Sequence, residues 1–222
     1  MTPVVGVAVS SSIKYGQKSY LSNIQSFPKP AAAQKLCYFK FSTPVDGCKL
    51  CDSYQTKKQA LANALKITKN GMADMVKLES TPKQINIVKY LIENKIKVCG
   101  HIGIQPQKIA NKKLYRKIGT TAGEANELIR EALLLQEAGA HILIAECIDG
   151  NCAKKIRNML KIPLIGIGSG NNCDGQVRVI YDLFNISFNG SPGFMNNKRI
   201  KKNPFKDILI DYIKSTKKFV SN

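Results

Sequence analysis

The sequence predicts a parallel α/β protein, and two observations carry that prediction. From residue 51 onward, strand-like and helix-like patterns alternate at least four times. The chain has 222 residues, with 44% hydrophobic and 22% charged side chains, close to an average globular domain that buries a real core. No close internal sequence repeat is visible beyond this alternation. A (β/α)₈ barrel and an open doubly wound sheet both satisfy this alternation.

The elements follow in order. Residues 1–50 contain one acidic residue, Asp46, and no Arg, and are rich in Ser, Pro and small residues. Strands are expected at 3–9 and 36–41, with loop around Ser10-Ser11-Ser12 and Pro28-Lys29-Pro30. Composition changes near residue 51, so the chain divides into an N-terminal segment, 1–50, and a (β/α) domain, 51–222. Leu61, Ala64, Leu65 and Thr68 recur at helical spacing, and Asn70-Gly71 makes a stop. Residues 74–79 alternate as a short strand. Pro82 opens a helix whose apolar residues include Ile85, Val88 and Ile92. Residues 97–101 form a second strand. Thr121 and Glu124 make a capping box for a helix burying Leu128, Ile129, Ala132 and Leu133, which Ala138-Gly139 ends. A third strand spans 141–147, a helix 152–160 and a fourth strand 162–168. Phe205, Ile208, Leu209, Tyr212 and Ile213 form the stripe of a last helix after Pro204.

Charge and cysteines narrow the function classes. With 34 basic and 15 acidic residues the formal charge is +19, which would suit a polyanion partner. Only five of the basic residues are Arg, however, and Trp is absent. An AT-rich genome produces a Lys and Asn bias through codon usage, whereas base readout and stacking favour Arg and aromatics. No nucleic-acid partner is expected. Seven cysteines form no disulfide framework by their odd count, and Cys48-x-x-Cys51 has no second pair to complete a zinc site. The apolar stretch from Ile142 to Cys147 is too short to cross a bilayer, and no basic residue precedes Lys14 as a secretory leader requires. The expectation is a cytoplasmic protein without a membrane partner.

The strand patterns also locate chemistry. Alternation puts Lys77 and Glu79 on one face with Met75, and Val76 and Leu78 on the other. Inward-facing charges are costly unless they pair or coordinate something. In the third strand, Ile142, Ile144 and Glu146 share a face, with Glu146 near the C-terminal end, where barrel enzymes keep catalytic groups. A carboxylate between apolar walls can serve as a general base. His101 ends the second strand between Gly100 and Gly103, while His141, at a strand start, reads as structural. Gly166, Gly168 and Gly170 have the wrong spacing for a dinucleotide fingerprint and read as a tight strand-to-loop transition.

Together these stretches resemble a known family. Met75-Val76-Lys77-Leu78-Glu79, Gly100-His101-Ile102-Gly103-Ile104-Gln105-Pro106-Gln107, Ala145-Glu146-Cys147 and the run from Ile162 to Gly170 followed by Cys173-Asp174-Gly175-Gln176 are similar, in order and spacing, to ketopantoate hydroxymethyltransferase. The similarity runs from about Asp52 to the C-terminus. It implies a (β/α)₈ TIM barrel of the phosphoenolpyruvate mutase type. It implies hydroxymethyl transfer from 5,10-methylenetetrahydrofolate to the small 2-oxo acid 3-methyl-2-oxobutanoate, assisted by Mg²⁺, in a homo-oligomer. On the matching positions it implies Glu146 as the base at C3, Lys77 and His101 as substrate-binding residues, and Glu79 at the metal. The family also carries two metal-binding Asp residues ahead of the match. Residues 1–50 contain neither motif: Asp46 has other neighbours and Asp52 comes too late. That segment reads either as diverged barrel strands or as a different reading frame joined to a genuine C-terminal part. The same resemblance therefore also fits a truncated, catalytically impaired relative, or a neighbouring 2-oxo acid C–C bond enzyme.

Overall fold

The computed structural model describes residues 4–8, 54–70, 73–79, 82–105, 116–179, 183–184 and 205–218. The strand expected at 36–41, the Cys48/Cys51 pair, Asp46 and Asp52 lie outside them.

Six strands form one wholly parallel sheet. They are β1 (Val4–Ala8), β2 (Val76–Leu78), β3 (Val98–Gly103), β4 (Ile142–Glu146), β5 (Leu164–Ile167) and β6 (Gly175–Val179). Five helices are described: α1 (Lys57–Leu65), α2 (Ile85–Glu93), α3 (Ala122–Glu137), α4 (Gly150–Met159) and α5 (Phe205–Lys218). Across the sheet the order is β1-β6-β5-β4-β3-β2, so β2 to β6 follow one another without a reversal, and among the described strands the first lies beside the last. A doubly wound sheet reverses its order at a switch point and carries helices on both faces. Here the faces are unequal. Val76, Leu78, Val98, Ile102, Leu143, Ala145 and Leu164 pack into one core with the buried residues of α1 to α4. Cys99, Ile142, Ile144, Ile165 and Val177, flanked by Met75 and Ile167, make a second, smaller cluster built from strand-face residues alone. Helices outside and a side-chain-filled inner face are how the wall of a (β/α)₈ barrel is made, and six strands of such a wall are present among the described residues.

The helices start and stop for local reasons. Thr56 Oγ1 caps α1 by accepting from Gln59 N at 3.2 Å, and a π-turn over Lys66–Asn70 ends the helix where the Asn-Gly stop was expected. A 3₁₀ turn from Pro82 leads into α2. Its buried face is Ile87, Val88 and Leu91, with Ile85 and Ile92 only partly buried. Each fully buried aliphatic side chain contributes about 1.5–3 kcal/mol relative to exposure, so packing rather than propensity holds this nine-residue helix. Thr121 caps α3 as expected, accepting from Glu124 N at 3.3 Å. The Glu124 carboxylate does not return to Thr121; it accepts from Gly119 N and Thr120 N and pairs with Arg116. Asp149 caps α4 through Asn151 N and Cys152 N. Tyr212 fixes α5 to the sheet: its ring is buried and its hydroxyl donates to the Gln176 carbonyl at 3.1 Å. No helix among the described residues is long and apolar enough to cross a membrane.

Strand β6, absent from the sequence expectations, is held by the Asp174 that precedes it. Asp174 Oδ1 accepts from Arg157 Nε on α4 at 2.6 Å, and Oδ2 accepts from Leu164 N at 2.8 Å. Arg157 Nη1 also donates to the Leu160 carbonyl at 3.0 Å. Replacing Asp174 with Ala would strand a half-buried guanidinium and a backbone N–H together. A loss of about 1–3 kcal/mol in urea-unfolding free energy is expected; an unchanged midpoint would show that water replaces the carboxylate at no cost.

Candidate active site on the inner face

Strand register stacks the inner face into rows. Lys77, Cys99 and Ile142 are register partners across β2, β3 and β4. His101, Ile144 and Ile165 form the next row towards the strands' C-terminal ends. Gly103, Glu146 and Ile167 form the row above that. Glu79 follows Leu78, which pairs with Gly100, and so comes level with the row of His101. The four expected site residues therefore share one face, with Glu146 nearest the C-terminal mouth, His101 one row deeper on the adjacent strand, and Lys77 one row below that.

Lys77 and Glu79 satisfy each other. Lys77 Nζ donates to Glu79 Oε1 at 3.0 Å, and the Glu79 side chain is 9% exposed. Tyr54 donates its hydroxyl to the Glu79 carbonyl at 3.3 Å, tying the start of the described domain to the end of β2. This pairing bears on the expected metal. Mg²⁺ demands near-octahedral oxygen ligands and relies on well-placed free carboxylates. Among the described residues no group of three or more His, Cys, Asp or Glu is placed to hold a metal ion. Glu79 is held by a lysine, so among the described residues this face does not by itself supply the ligands of a Mg²⁺ ion.

His101 is fully buried. Its Nε2 lies 2.6 Å from the Ile104 carbonyl, while Nδ1 has no hydrogen-bond partner among the described residues. Burial, and next the Lys77 cation, push the imidazole down from 6.5 to about 3, against the pull of the Ile104 carbonyl. The ring is therefore neutral at physiological pH. A lowered histidine value means that the unfolded chain takes up the proton first. His101 thus contributes stability in full above pH 6.5, and that contribution is lost as pH falls towards 3. Glu124 adds to the same trend: the Arg116 hydrogen bond holds it at about 2, so its contribution is present above 4.5 and fades towards 2. Unfolding free energy is expected to fall on acidification from pH 6.5, with no His101 titration by NMR between pH 8 and 5. A native imidazole that titrates near 6.5 would contradict this.

Glu146 is buried, 8% exposed, at the very end of β4. Its backbone is held from several sides. The Glu146 carbonyl accepts from Ile104 N at 3.0 Å, and Cys147 N donates to Ile167 O at 2.8 Å. The Cys147 carbonyl accepts from Ile118 N at 2.9 Å. Cys147 itself sits at φ +54°, a left-handed conformation that costs a non-glycine residue about 1–3 kcal/mol unless its surroundings impose it. Ser169, buried in the glycine run after β5, donates to Ala145 O at 2.8 Å and accepts from Ile148 N at 3.0 Å. Its two bonds bracket Glu146. No role for Ser169 was visible in the sequence; the signal was the small polar residue between Gly168 and Gly170, both at positive φ.

The thiols around the site are inert. Burial pushes Cys99, Cys147 and Cys173 up to about 12, with Lys77 opposing at Cys99 and Glu146 adding at Cys147. His141, read as structural, precedes β4 and is exposed.

The sequence that builds this face is similar to known proteins. The family model described as ketopantoate hydroxymethyltransferase matches residues 51–219. The 3-methyl-2-oxobutanoate hydroxymethyltransferase of Buchnera aphidicola subsp. Acyrthosiphon pisum (strain 5A) is 44% identical over 161 residues, 72% of this chain and 61% of that one. The Vibrio cholerae protein of the same name (strain O395) is 39% identical over the same shares. That of Nitrosococcus oceani is 39% identical over 75% of this chain and 63% of its own. The chain thus spans less than two thirds of the length of these curated relatives. Among solved structures, a FabK mutant from Thermotoga maritima matches at 13% identity and a TM-score of 0.42 over 71% of each chain, too loose a likeness to carry an argument. By motif, register and overall match, the chain belongs to the ketopantoate hydroxymethyltransferase family.

Proposed function

We propose that the protein transfers a hydroxymethyl group from 5,10-methylenetetrahydrofolate to 3-methyl-2-oxobutanoate, giving 2-dehydropantoate. The observation that carries this reading is the convergence of Lys77, His101 and Glu146 on one buried face, inside the segment matched by the family. Each has a task suited to its surroundings. The Lys77 ammonium, steadied by Glu79 at 3.0 Å, offers a cation to the carboxylate and oxo group of the acid. Glu146, nearest the mouth, takes the proton from C3. The resulting enolate oxygen is an anion in a dry site, where a fixed cation stabilises it more than water would. Both bonds from the methylene carbon to the folate nitrogens break, with water supplying the oxygen on that carbon and the two protons the nitrogens take up. The enolate carbon bonds to the same carbon, and the proton held by Glu146 passes to the new hydroxyl. His101 lines the pocket and hydrogen-bonds the ligand.

Magnesium dependence, implied by the family resemblance, belongs to the same proposal. Its further carboxylates would come from outside the described residues. The resemblance also supports a cytoplasmic homo-oligomer. One observation favours a second reading, a relative whose fold is kept and whose chemistry is weakened: the carboxylate expected at the metal is neutralised by Lys77.

Loss of the C3 proton signal of 3-methyl-2-oxobutanoate in deuterium oxide, followed by NMR with and without Mg²⁺, tests both. Exchange by the purified chain is expected, faster with Mg²⁺. A folded chain that exchanges nothing under either condition would rule out the enzyme reading and leave the second.

A further inference from the structure

The unpartnered nitrogen of His101 places a demand on whatever fills the pocket. Nε2 faces the Ile104 carbonyl at 2.6 Å, an atom that can only accept, so Nε2 must carry the proton. Among the described residues, burial and the nearby Lys77 cation both work against a second proton on this ring. Nδ1 is then a bare acceptor, and a buried acceptor left unsatisfied costs about as much as a lost hydrogen bond. Only a donor can relieve it. Ionised 3-methyl-2-oxobutanoate has none: its carboxylate and its ketone both accept, and its enolate accepts more strongly. The hydroxymethylated product does have one, its new primary hydroxyl.

We infer that His101 Nδ1 receives the hydroxyl formed by the transfer, so that this residue recognises the product and not the starting 2-oxo acid. The inference rests on the reading of the reaction given above. The placement supports it. His101 lies one register row below Glu146 on the neighbouring strand of the same face. The carbon that loses its proton to Glu146 is the one that gains the hydroxymethyl group, so the hydroxyl arises beside that row. A folate could also donate, from its pterin ring. It is a large ligand entering from the mouth, and a fully buried position one row below Glu146 suits the small acid better.

The test uses the whole chain with ¹⁵N-labelled histidine and follows the His101 Nδ1 resonance during titration with 3-methyl-2-oxobutanoate, 2-dehydropantoate and tetrahydrofolate, with binding of each measured by calorimetry. An upfield move of Nδ1 with 2-dehydropantoate alone is expected. A His101→Phe variant, which keeps the ring shape without the acceptor, is expected to bind 2-dehydropantoate about tenfold more weakly and the 2-oxo acid within about twofold of the parent. If both acids bind and Nδ1 responds to both or to neither, or if it responds to tetrahydrofolate, the inference is overturned while the reaction stands. If neither acid binds a folded chain, the reaction reading falls and takes the inference with it.

Discussion

Replacing Glu146 with Gln is expected to slow exchange of the C3 proton by about 10²–10⁴-fold, the usual worth of a positioned general base. The fold should be untouched. Gln matches Glu in shape, and backbone bonds help hold this position: Ile104 N to the Glu146 carbonyl, and Ser169 to Ala145 and Ile148 on either side. The variant therefore separates chemistry from structure. An unchanged unfolding midpoint with exchange lost would support Glu146 as the base. Exchange at the parent rate would move that role elsewhere, and a lowered midpoint would show that the carboxylate itself helps hold the end of β4.

Replacing Gly103 with Ala is expected to be the most damaging small change in the described structure. Gly103 ends β3 at φ +98°, and a Cβ there would lie 2.2 Å from the Glu146 carbonyl oxygen. Backbone, unlike a flexible side chain, cannot step aside. The variant must break the bond from Ile104 N to Glu146 or push the end of β4 outward. A cost of about 2–4 kcal/mol and a matching loss of proton exchange are expected, since the displaced atom belongs to the residue proposed as the base. Gly123 is the control. It lies in α3, where a Cβ would meet nothing within 4 Å, so Ala there should raise stability by about 0.5–1 kcal/mol. Equal, small effects at the two positions would refute the close approach of β3 to β4.

Much of this site was legible because a strand alternates with period two. Once residues 74–79 read as a strand, Lys77 and Glu79 had to share a face, and the core clusters separate them from Val76 and Leu78 as alternation requires. Helix faces were less legible. The apolar residues of α2, Ile85, Ile87, Val88, Leu91 and Ile92, spread over a broad stripe, and packing decides that Ile87, Val88 and Leu91 go deepest. In α3 the expected Leu128 and Ala132 are buried, but Ala125 and Leu135 complete the face, with Ile129 and Leu133 at its margin. Strand β6 escaped notice because Gly175, Gln176 and Arg178 interrupt its apolar residues, and its pairing depends on long-range partners. The state of His101 was beyond any pattern: it turns on one carbonyl three residues away.

The position of β1 sets a timetable for folding. Val4 pairs with Gly175, so β1 must wait for a partner 171 residues later in the chain. Neighbours β3 and β4, and β4 and β5, close much shorter loops and can form while synthesis continues. Until β6 appears, β1 is an unpaired apolar edge, open to wrong partners. Pulse-labelled hydrogen exchange during refolding is expected to protect the amides of β3 and β4 before those of β1; simultaneous protection would mean that the sheet closes as one unit.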